Sequence, residues 1–485
     1  MNNRLSSSHV LFGILVALST PILINFIRNN YILSNFRLLY YPAQYHGNHI
    51  SSDYFEGWYF KLVSEDKTAS LAVIPGIFKG NIGYKSIRKE NSKSDADNYH
   101  KHNDYSLDDS HAFVLLINRG HECLYYRYDV NEFKSVNTKE KDAFQITIGH
   151  NHFRHDEMVL SLPSSHLWQP TDSEYETFLS SVMTDYRRLL PAENNTTELE
   201  VVRHPHIPYS IRGVIAFENV TPLKSTMTIP SVMGIFQYIP WLECFHQIIS
   251  LDHIVHGEIT FINDKFVETS IDLENGRGYI EKDWGINFPK TWIWAQSNNF
   301  IKEAGNSILV SKPVGINSGL GHILLFDSPY QPMLPLPIQI SIAEVPLVQS
   351  FYHIAGALIV VHHSSTNVTY NFSTYKLPHR HSLKVTLDPT THIQNVYLHV
   401  SDRDNNHLEV NVWRKAGTGV PLRAPNKEHK KMILTVEENL DAEMTVKMWN
   451  GNEGGDVEVI MDDTAVSAGL EIVGDVVKLG KEYAG

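Results

Sequence analysis

Cysteine is nearly absent from this sequence, which has only Cys123 and Cys244 among its 485 residues. Two cysteines in so long a chain make neither a disulfide scaffold nor a cysteine-based zinc motif. They can remain as two buried thiols or form one bridge, and the sequence leaves both alternatives open. The fold therefore relies on one disulfide at most.

Positive charge is also in short supply, because 41 Lys and Arg residues are set against 54 Asp and Glu residues, for a formal net charge of −13. Binding to phosphate backbones needs clustered Lys and Arg, and the sequence has no basic stripe of that kind. We therefore expect no nucleic-acid partner. The acidity is compatible with a small or apolar partner but does not select one.

Several motifs of known cofactor and hydrolase chemistry are missing. There is no GxSxG elbow and no P-loop, and the glycine-rich Gly315–Gly321 lacks the GxGxxG spacing. Close histidine pairs such as His362 and His363 are scattered along the chain, whereas a metal site needs three or four converging ligands. We expect neither a metal ion nor an organic cofactor.

An apolar run, Val10–Ile27, lies between Arg4 and Arg28 near the N-terminus. A run of about 18 residues is near the lower limit for crossing a bilayer. We interpret residues 1–29 as a signal peptide or membrane anchor, with a buried core helix as the alternative. The sequence thus predicts a membrane-associated or secretory protein. A plastid transit peptide would be amphipathic and rich in Ser and Arg, so a plastid location is not supported.

Short strand-like runs between turn signals make up most of the remaining chain. Aromatic residues amount to 11%, and runs of about five to eight residues at this spacing favour an all-β sandwich or barrel. Examples are Tyr54–Val63, Ala112–Asn118, Thr291–Gln296, Ser307–Ser311 and His322–Phe326. The best helix candidate is Glu174–Leu190, and the polar stretch Ser86–Ser110 is interpreted as a loop insertion.

The length of the chain exceeds what one core usually supports, so we expect two β units. We place the first at residues 41–299 and the second at residues 300–485.

Three sequence segments, in this order and at this separation, resemble the tocopherol cyclase family and its bacterial relatives. They are DYFEGWYFK at Asp53–Lys61, the stretch Gly234–Gly257, which includes YIPWLECFHQIISLDHIVHG, and GYIEKDWGINFPKTWIWAQSNNF at Gly278–Phe300. The segment AGLEIVG at Ala468–Gly474 also resembles the family. The resemblance runs from Tyr41 to the C-terminus, apart from the polar insertion.

The resemblance implies two lipocalin-like β-barrel or sandwich halves enclosing an apolar ligand cavity. It also implies a reaction in which an isoprenoid double bond is protonated and a quinol hydroxyl closes a chromanol ring. The partner would then be a prenylquinol or a related isoprenoid. A non-catalytic carrier or sensor of an apolar ligand remains the alternative, as does hydration or another ring closure on an isoprenoid or polyketide, because fold does not fix function.

In the first segment, strand alternation puts Glu56 on one face with Tyr54, Trp58 and Phe60, and Tyr59 on the other face. An apolar setting raises a carboxyl pKa, so Glu56 is a candidate general acid. In the alternative interpretation, Glu56 pairs with a Lys or Arg and locks two strands.

In the third segment, Glu281 and Asp283 share one face, with Lys282 and Trp284 on the other. Asp283 is a second candidate acid. A following strand places four side chains on one face, where the tryptophans would form a wall for a ring or carbocation and the amides would orient a hydroxyl: Trp292, Trp294, Gln296 and Asn298. The alternative is that the tryptophans are core and the amides satisfy backbone groups.

In the middle segment, an extended chain would put His246 and Asp252 on one face and His253 on the other. A histidine beside a carboxylate can relay protons, so both histidines are candidates. The candidate ligand-binding residues are Trp58, Tyr59, Trp284, Trp292, Trp294, Gln296 and Asn298.

Overall fold

A computed structural model describes residues 40–80, 109–119, 123–136, 138–140, 142–190, 209–223, 226, 231–239, 242–301, 337–348, 352–377, 380–451 and 457–484. Within these ranges the chain forms two antiparallel sheets and two α-helices, which confirms the predicted all-β class. The predicted apolar N-terminal helix lies outside the described residues. So do the strands predicted at residues 307–311 and 322–326, and all but the last two residues of the loop insertion.

The first sheet has 13 strands in the order β5-β6-β7-β8-β10-β11-β13-β1-β2-β3-β4-β9, with β12 paired to β11. Its strands are β1 Tyr54–Val63, β2 Ser70–Lys79, β3 His111–Asn118, β4 Cys123–Tyr128, β5 Phe133–Val136, β6 Gln145–Ile148, β7 Asn151–Arg154, β8 Glu157–Leu162, β9 Leu167–Trp168, β10 Ser210–Glu218, β11 Cys244–Ile262, β12 Glu268–Asp272 and β13 Gly276–Gly285.

The second sheet has 10 strands in the order β17-β16-β15-β14-β23-β22-β20-β19-β18, with β21 paired to β22. Its strands are β14 Trp292–Ser297, β15 Ile338–Val348, β16 Tyr352–His363, β17 Val368–Asn371, β18 Arg380–Leu387, β19 Ile393–Ser401, β20 Asn406–Lys415, β21 Val420–Asn426, β22 Lys431–Asn450 and β23 Glu458–Val473. The division into units at residue 300 stays a prediction, and β14, which precedes that residue, belongs to this sheet.

Helix α1, Asp172–Leu189, confirms the predicted helix. Thr171 and Glu174 form a capping box at its start, which satisfies backbone N–H groups that the helix leaves open. Its buried residues are spaced three or four apart and pack on the second sheet: Tyr175, Phe178, Val182 and Tyr186. Helix α2, Val476–Ala484, covers the apolar core of the same sheet.

Three apolar cores follow from strand alternation. One core consists of side chains from the first sheet and another of side chains from the second sheet and helix α2, while a third contains side chains of both sheets and is called the interface core below. In β1, Tyr54, Trp58 and Phe60 enter the first-sheet core, whereas Phe55 and Tyr59 enter the interface core. The interface core is therefore the place where side chains of both sheets meet.

No disulfide joins the two cysteines, Cys123 and Cys244, both of which are partly buried. Across the described part of the chain, no helix has the combination of length and apolar character that crossing a membrane requires.

Candidate active site

Strand β13 lies between β11 and β1, so it brings the three sequence segments side by side. Its residue Glu281 is opposite Tyr59 on β1 and opposite Ile248 on β11, while Asp283 is opposite His246. Glu281 and Asp283 share one face of β13 and Lys282 the other, as the alternation predicts. The two faces provide chemically different environments.

On the face toward the first-sheet core, Glu56 is fully buried beside Lys282, with 2.5 Å between Oε1 and Nζ. The backbone N–H of His46 donates to its Oε1 (3.0 Å) and Oε2 (2.9 Å), and Gly47 N donates to Oε2 (3.2 Å). The hydroxyl of Tyr54 also donates to Oε2. This carboxylate is thus paired and saturated with donors.

Burial alone would raise the pKa of Glu56, but Lys282 and His46 lower that pKa to about 2. Burial lowers the pKa of Lys282 to about 8, against the opposing effect of Glu56. A carboxylate held ionised in this way is a poor proton donor. The geometry favours the alternative in which Glu56 locks β1 to β13.

Three further candidates lie on the same side of the sheet. Trp58 is fully buried and its Nε1 donates to Ala43 O (3.0 Å), while Trp284 stacks on His46 at 4.4 Å between ring centroids. His253 Nδ1 lies 2.9 Å from Ser250 Oγ, and burial lowers the pKa of this histidine to about 3. These side chains are packing groups of the first-sheet core.

The opposite face of β13 projects Glu281 into the interface core. Trp294 Nε1 donates to its Oε2 (3.0 Å), and the Tyr279 hydroxyl donates to the same oxygen (2.5 Å). Burial raises the pKa of Glu281 to about 7, with His246 acting in the opposite direction. Unlike Glu56, this carboxyl group holds its proton in a substantial fraction of molecules near neutral pH.

His246 connects this buried acid to a more exposed carboxylate. Its Nδ1 lies 2.9 Å from Asp283 Oδ1, and its Nε2 lies 3.6 Å from Glu281 Oε2. Burial alone would lower the pKa of His246, but Asp283 and Glu281 raise it to about 9. The Asp283 side chain is 23% exposed, compared with 5% for Glu281. His246 therefore lies between the partly exposed Asp283 and the buried Glu281, and these three groups are called the relay residues below.

The second sheet adds a pair of carboxyl groups to the interface core. Glu438 on β22 and Glu471 on β23 lie close enough for each to shift the pKa of the other. The Tyr59 hydroxyl donates to Glu438 Oε1 (2.8 Å), and Trp292 Nε1 donates to Glu471 Oε2 (2.7 Å). Burial raises the pKa of both carboxyl groups, and Glu471 raises the pKa of Glu438 further, whereas Glu438 lowers the pKa of Glu471.

The remaining candidates are amides. Gln296 Oε1 accepts from Lys61 Nζ (2.9 Å), and burial lowers the pKa of this lysine to about 7. Asn298 Nδ2 donates to Asp252 Oδ1 (2.9 Å) and to Gly278 O (2.8 Å). Gln296 therefore belongs to the interface core, whereas the Asn298 amide is used in hydrogen bonds to Asp252 and to the backbone of β13.

The structure thus divides most of the predicted site residues between the interface core and the first-sheet core. Those brought together at the interface core are Tyr59, His246, Asp283, Trp292, Trp294 and Gln296, whereas Glu56, Trp58, Trp284 and His253 lie on the side of the first-sheet core. The acid group itself includes residues that were not among the candidates: Glu281, Glu438 and Glu471. Sequence signals pointed to two of them, the shared face of Glu281 with Asp283 and the segment AGLEIVG, which contains Glu471, whereas none pointed to Glu438.

The relay residues could also hold a metal ion, because one ligand atom each from His246, Glu281 and Asp283 lies within 4.8 Å of the others. These donors are a histidine nitrogen and two carboxylate oxygens, which suit several divalent cations. The absence of a metal requirement stays a prediction.

The sequence profile of tocopherol cyclase-like proteins matches residues 52–315, more than half of the chain. The chain belongs to the tocopherol cyclase-like family. It is 25% identical over 268 residues to a probable chloroplastic tocopherol cyclase of Oryza sativa subsp. japonica, covering 55% of this chain and 46% of that protein. It is 24% identical over 267 residues to a chloroplastic tocopherol cyclase of Zea mays, with the same coverage of 55% and 46%.

The chain therefore spans about half the length of these curated family members, as the coverage of 46% shows. Among solved structures, the crystal structure of CghA aligns with 87% of this chain and 89% of its own, at 7% identity and a TM-score of 0.39. The strands β1, β11, β13 and β14 lie inside the matched family region, whereas Glu438 on β22 and Glu471 on β23 lie outside it.

Proposed function

We propose that this protein is an isomerase that protonates a double bond of an apolar isoprenoid and closes a chromanol ring on a prenylated benzoquinol. Membership of the tocopherol cyclase-like family supports the reaction class. The observation that carries the proposal is Glu281, a buried carboxyl group whose pKa is raised to about 7 and whose hydrogen-bond donors are Tyr279 and Trp294 rather than a lysine or arginine.

Glu281 is also equipped to give its proton away. Its hydrogen-bond donors Trp294 and Tyr279 meet Oε2, and His246 faces that oxygen, which leaves Oε1 as the oxygen that would carry the acidic proton. As the proton leaves, negative charge develops on a carboxylate that already faces two donors and a protonated histidine. Donors placed in advance stabilise such charge without reorganisation of solvent.

The proposed steps conserve atoms and electrons. Glu281 transfers its proton to one alkene carbon and a carbocation forms at the other. The quinol hydroxyl oxygen attacks this cation and forms the ring C–O bond, and the hydroxyl proton returns to the Glu281 carboxylate directly or through His246. The product is an isomer of the substrate, so the reaction needs neither oxidant nor reductant.

The interface core would shield the cation from water. Trp294 and Tyr59 meet edge to face, with 5.3 Å between ring centroids, and Trp292 lies beside them on β14. Aromatic faces attract cations, and a dry site prevents water from capturing the intermediate. We propose that the two sheets form lipocalin-like halves and that the apolar ligand binds between them.

The test is turnover of a prenylated methylbenzoquinol under anaerobic conditions in deuterated water, followed by chromatography and mass. We expect a chromanol with one carbon-bound deuterium. Glu281→Gln should lower the rate by about 10²–10⁴-fold, the usual contribution of a general acid. Glu258→Gln, on an exposed position of β11, is the matched control and should keep full activity.

The other outcomes are equally informative. Tight binding of the quinol without turnover would replace the enzyme with a carrier of apolar ligands. Turnover that survives Glu281→Gln but not Glu438→Gln would move the acid to the carboxyl pair. Turnover that is lost with a chelator and restored by a divalent cation would assign His246, Glu281 and Asp283 to a metal.

A further inference from the structure

Two short 3-10 turns, Gly234–Tyr238 and Thr374–Lys376, together present an apolar surface to solvent. Ile235 is 58% exposed, Tyr238 42% and Leu377, directly after the second turn, 61%. The turns touch, because the Tyr375 ring packs on Gly234 and meets the Phe236 ring at 6.2 Å. We call these two turns with Leu377 the turn surface. Contiguous exposed apolar groups mark interaction sites, whereas isolated ones are ordinary.

The turn surface covers the core that contains the candidate acid. Phe236 points inward and belongs to the interface core, in the same cluster as Trp292 and Trp294. One turn comes from the chain between β10 and β11, and the other from the chain between β17 and β18. An apolar molecule that reached this surface would therefore stand over the junction of the two sheets.

The charge of the turn surface is unlike that of the whole chain. Neither turn contains Asp or Glu, although the chain has 54 such residues, and Lys376 is exposed in the second turn. A tyrosine beside exposed aliphatic groups and a lysine is the composition found where proteins meet the headgroup region of a bilayer. It does not suit a basic protein partner.

The path of the chain points to the same occupant. Tyr238 hydrogen-bonds Tyr40, the first described residue. The apolar run Val10–Ile27 ends before the twelve residues 28–39, which can span at most about 40 Å. A membrane anchor in that run would therefore tether the turn surface close to the bilayer.

We propose that the turn surface docks on a lipid bilayer, with Ile235, Tyr238 and Leu377 at the boundary between headgroups and acyl chains. This docking does not depend on the proposed reaction. If that reaction is also correct, the bilayer would deliver the prenylated substrate to the side of the molecule above the interface core.

The test uses the full chain reconstituted with vesicles of phosphatidylcholine and phosphatidylglycerol. Single cysteines at Ile235→Cys or Leu377→Cys, with both native cysteines changed to serine, carry an environment-sensitive fluorophore. The matched control is Phe266→Cys, because Phe266 is 87% exposed and equally apolar but follows the other end of β11. We expect blue-shifted emission and quenching by nitroxide-bearing lipids at the first two positions and neither effect at the control.

Equal and weak quenching at all three positions would overturn docking, even if the N-terminus anchors the chain. An emission shift that needs no lipid and grows with protein concentration would also overturn it and assign the surface to a second copy of the chain. As a second readout, the Ile235→Ser/Leu377→Ser variant should turn over vesicle-embedded quinol more slowly than wild type, and detergent-solubilised quinol equally fast. Absence of turnover in wild type would leave the quenching result intact and count only against the proposed reaction.

Discussion

Two buried glutamates on neighbouring strands, Glu56 on β1 and Glu281 on β13, show how one sheet provides opposite chemistry on its two faces. Their side chains are at most 5% exposed. Glu56 lies 2.5 Å from the ammonium group of Lys282, whereas Glu281 meets the neutral donors Tyr279 and Trp294 and has His246 at 3.6 Å. The pKa of the first is lowered to about 2, and that of the second is raised to about 7.

Burial alone raises the pKa of both groups, so burial does not identify an acid catalyst. The charge of the neighbouring group decides whether the pKa of the buried carboxyl group ends above or below its ordinary value. A lysine in direct contact converts a buried carboxyl into part of a structural ion pair. Neutral donors leave it able to hold a proton and to release it into a stabilised environment.

The largest expected difference is in stability. Glu56→Gln leaves the ammonium group of Lys282 buried without a counterion, which should lower the free energy of unfolding by about 3–5 kcal/mol. Glu281→Gln should leave it unchanged or higher, because the amide oxygen still accepts from Trp294 and Tyr279. Denaturant unfolding of both variants near pH 7 measures the difference.

The double variant Glu56→Gln/Lys282→Met provides the control, since it removes the stranded charge. It should recover most of the loss. If Glu281→Gln costs as much as Glu56→Gln, the distinction between a structural and a chemical carboxyl group is wrong.

The second difference is in the pH dependence of these effects. Because the pKa of Glu56 is lowered from 4.5 to about 2, this residue stabilises the folded protein above pH 4.5 and loses that contribution as the pH falls toward 2. Glu56→Gln should therefore lower the free energy of unfolding most above about pH 4.5. Because the pKa of Glu281 is raised from 4.5 to about 7, this residue stabilises the folded protein below pH 4.5 and loses that contribution as the pH rises to about 7. Glu281→Gln should therefore gain stability relative to wild type across that window. Unfolding curves at several pH values test the signs, and equal slopes would contradict the assignment.

Strand alternation predicts which side chains share a face, and here it places Glu281 with Asp283 and Lys282 with Trp284 correctly. In β11, register shifts between Ile248 and Ser250 and again before His253 interrupt the alternation, yet His246 and His253 still lie on opposite faces as predicted. A bulge adds a residue without a sequence pattern that marks it.

Contacts between the sheets are beyond such reasoning. Glu438 and Tyr59 are hydrogen-bonded although 379 positions separate them. Nothing local in the sequence specifies how β22 meets β1. The sequence also shows no reason why Lys282, rather than another cation, pairs with Glu56, because that choice follows from the register of β1 and β13.

A third, smaller effect concerns the donors to Glu281. Activity should fall as pH rises through about 7, because the acid loses its proton. Tyr279→Phe removes one donor to the developing carboxylate, which is worth about 1.5–3 kcal/mol for a charged acceptor and so roughly 10–100-fold in rate. Because the Tyr279 hydrogen bond lowers the pKa of Glu281, its removal should also move the fall in activity to higher pH. A pH–rate profile of both proteins tests this, with Tyr397→Phe, on a partly exposed position of β19, as the control. If the pH at which activity falls is the same in both proteins, Tyr279 does not influence the pKa of the catalytic acid.

The smallest effect tests the packing role of His253 on the other face. A Cβ on Gly278 would collide with the His253 ring nitrogen Nε2, so Gly278→Ala should destabilise the protein by about 1–3 kcal/mol through overpacking. Removing the ring in Gly278→Ala/His253→Ala relieves that collision, and the two changes should cost less together than the sum of their separate effects. Turnover per folded molecule should stay near wild type in both variants, because His253 contacts Ser250 and Phe217 rather than the interface core. If the His253→Ala protein unfolds normally but has lost turnover, His253 takes part in the reaction. The assignment of structural and catalytic roles to opposite faces of the sheet would then be wrong.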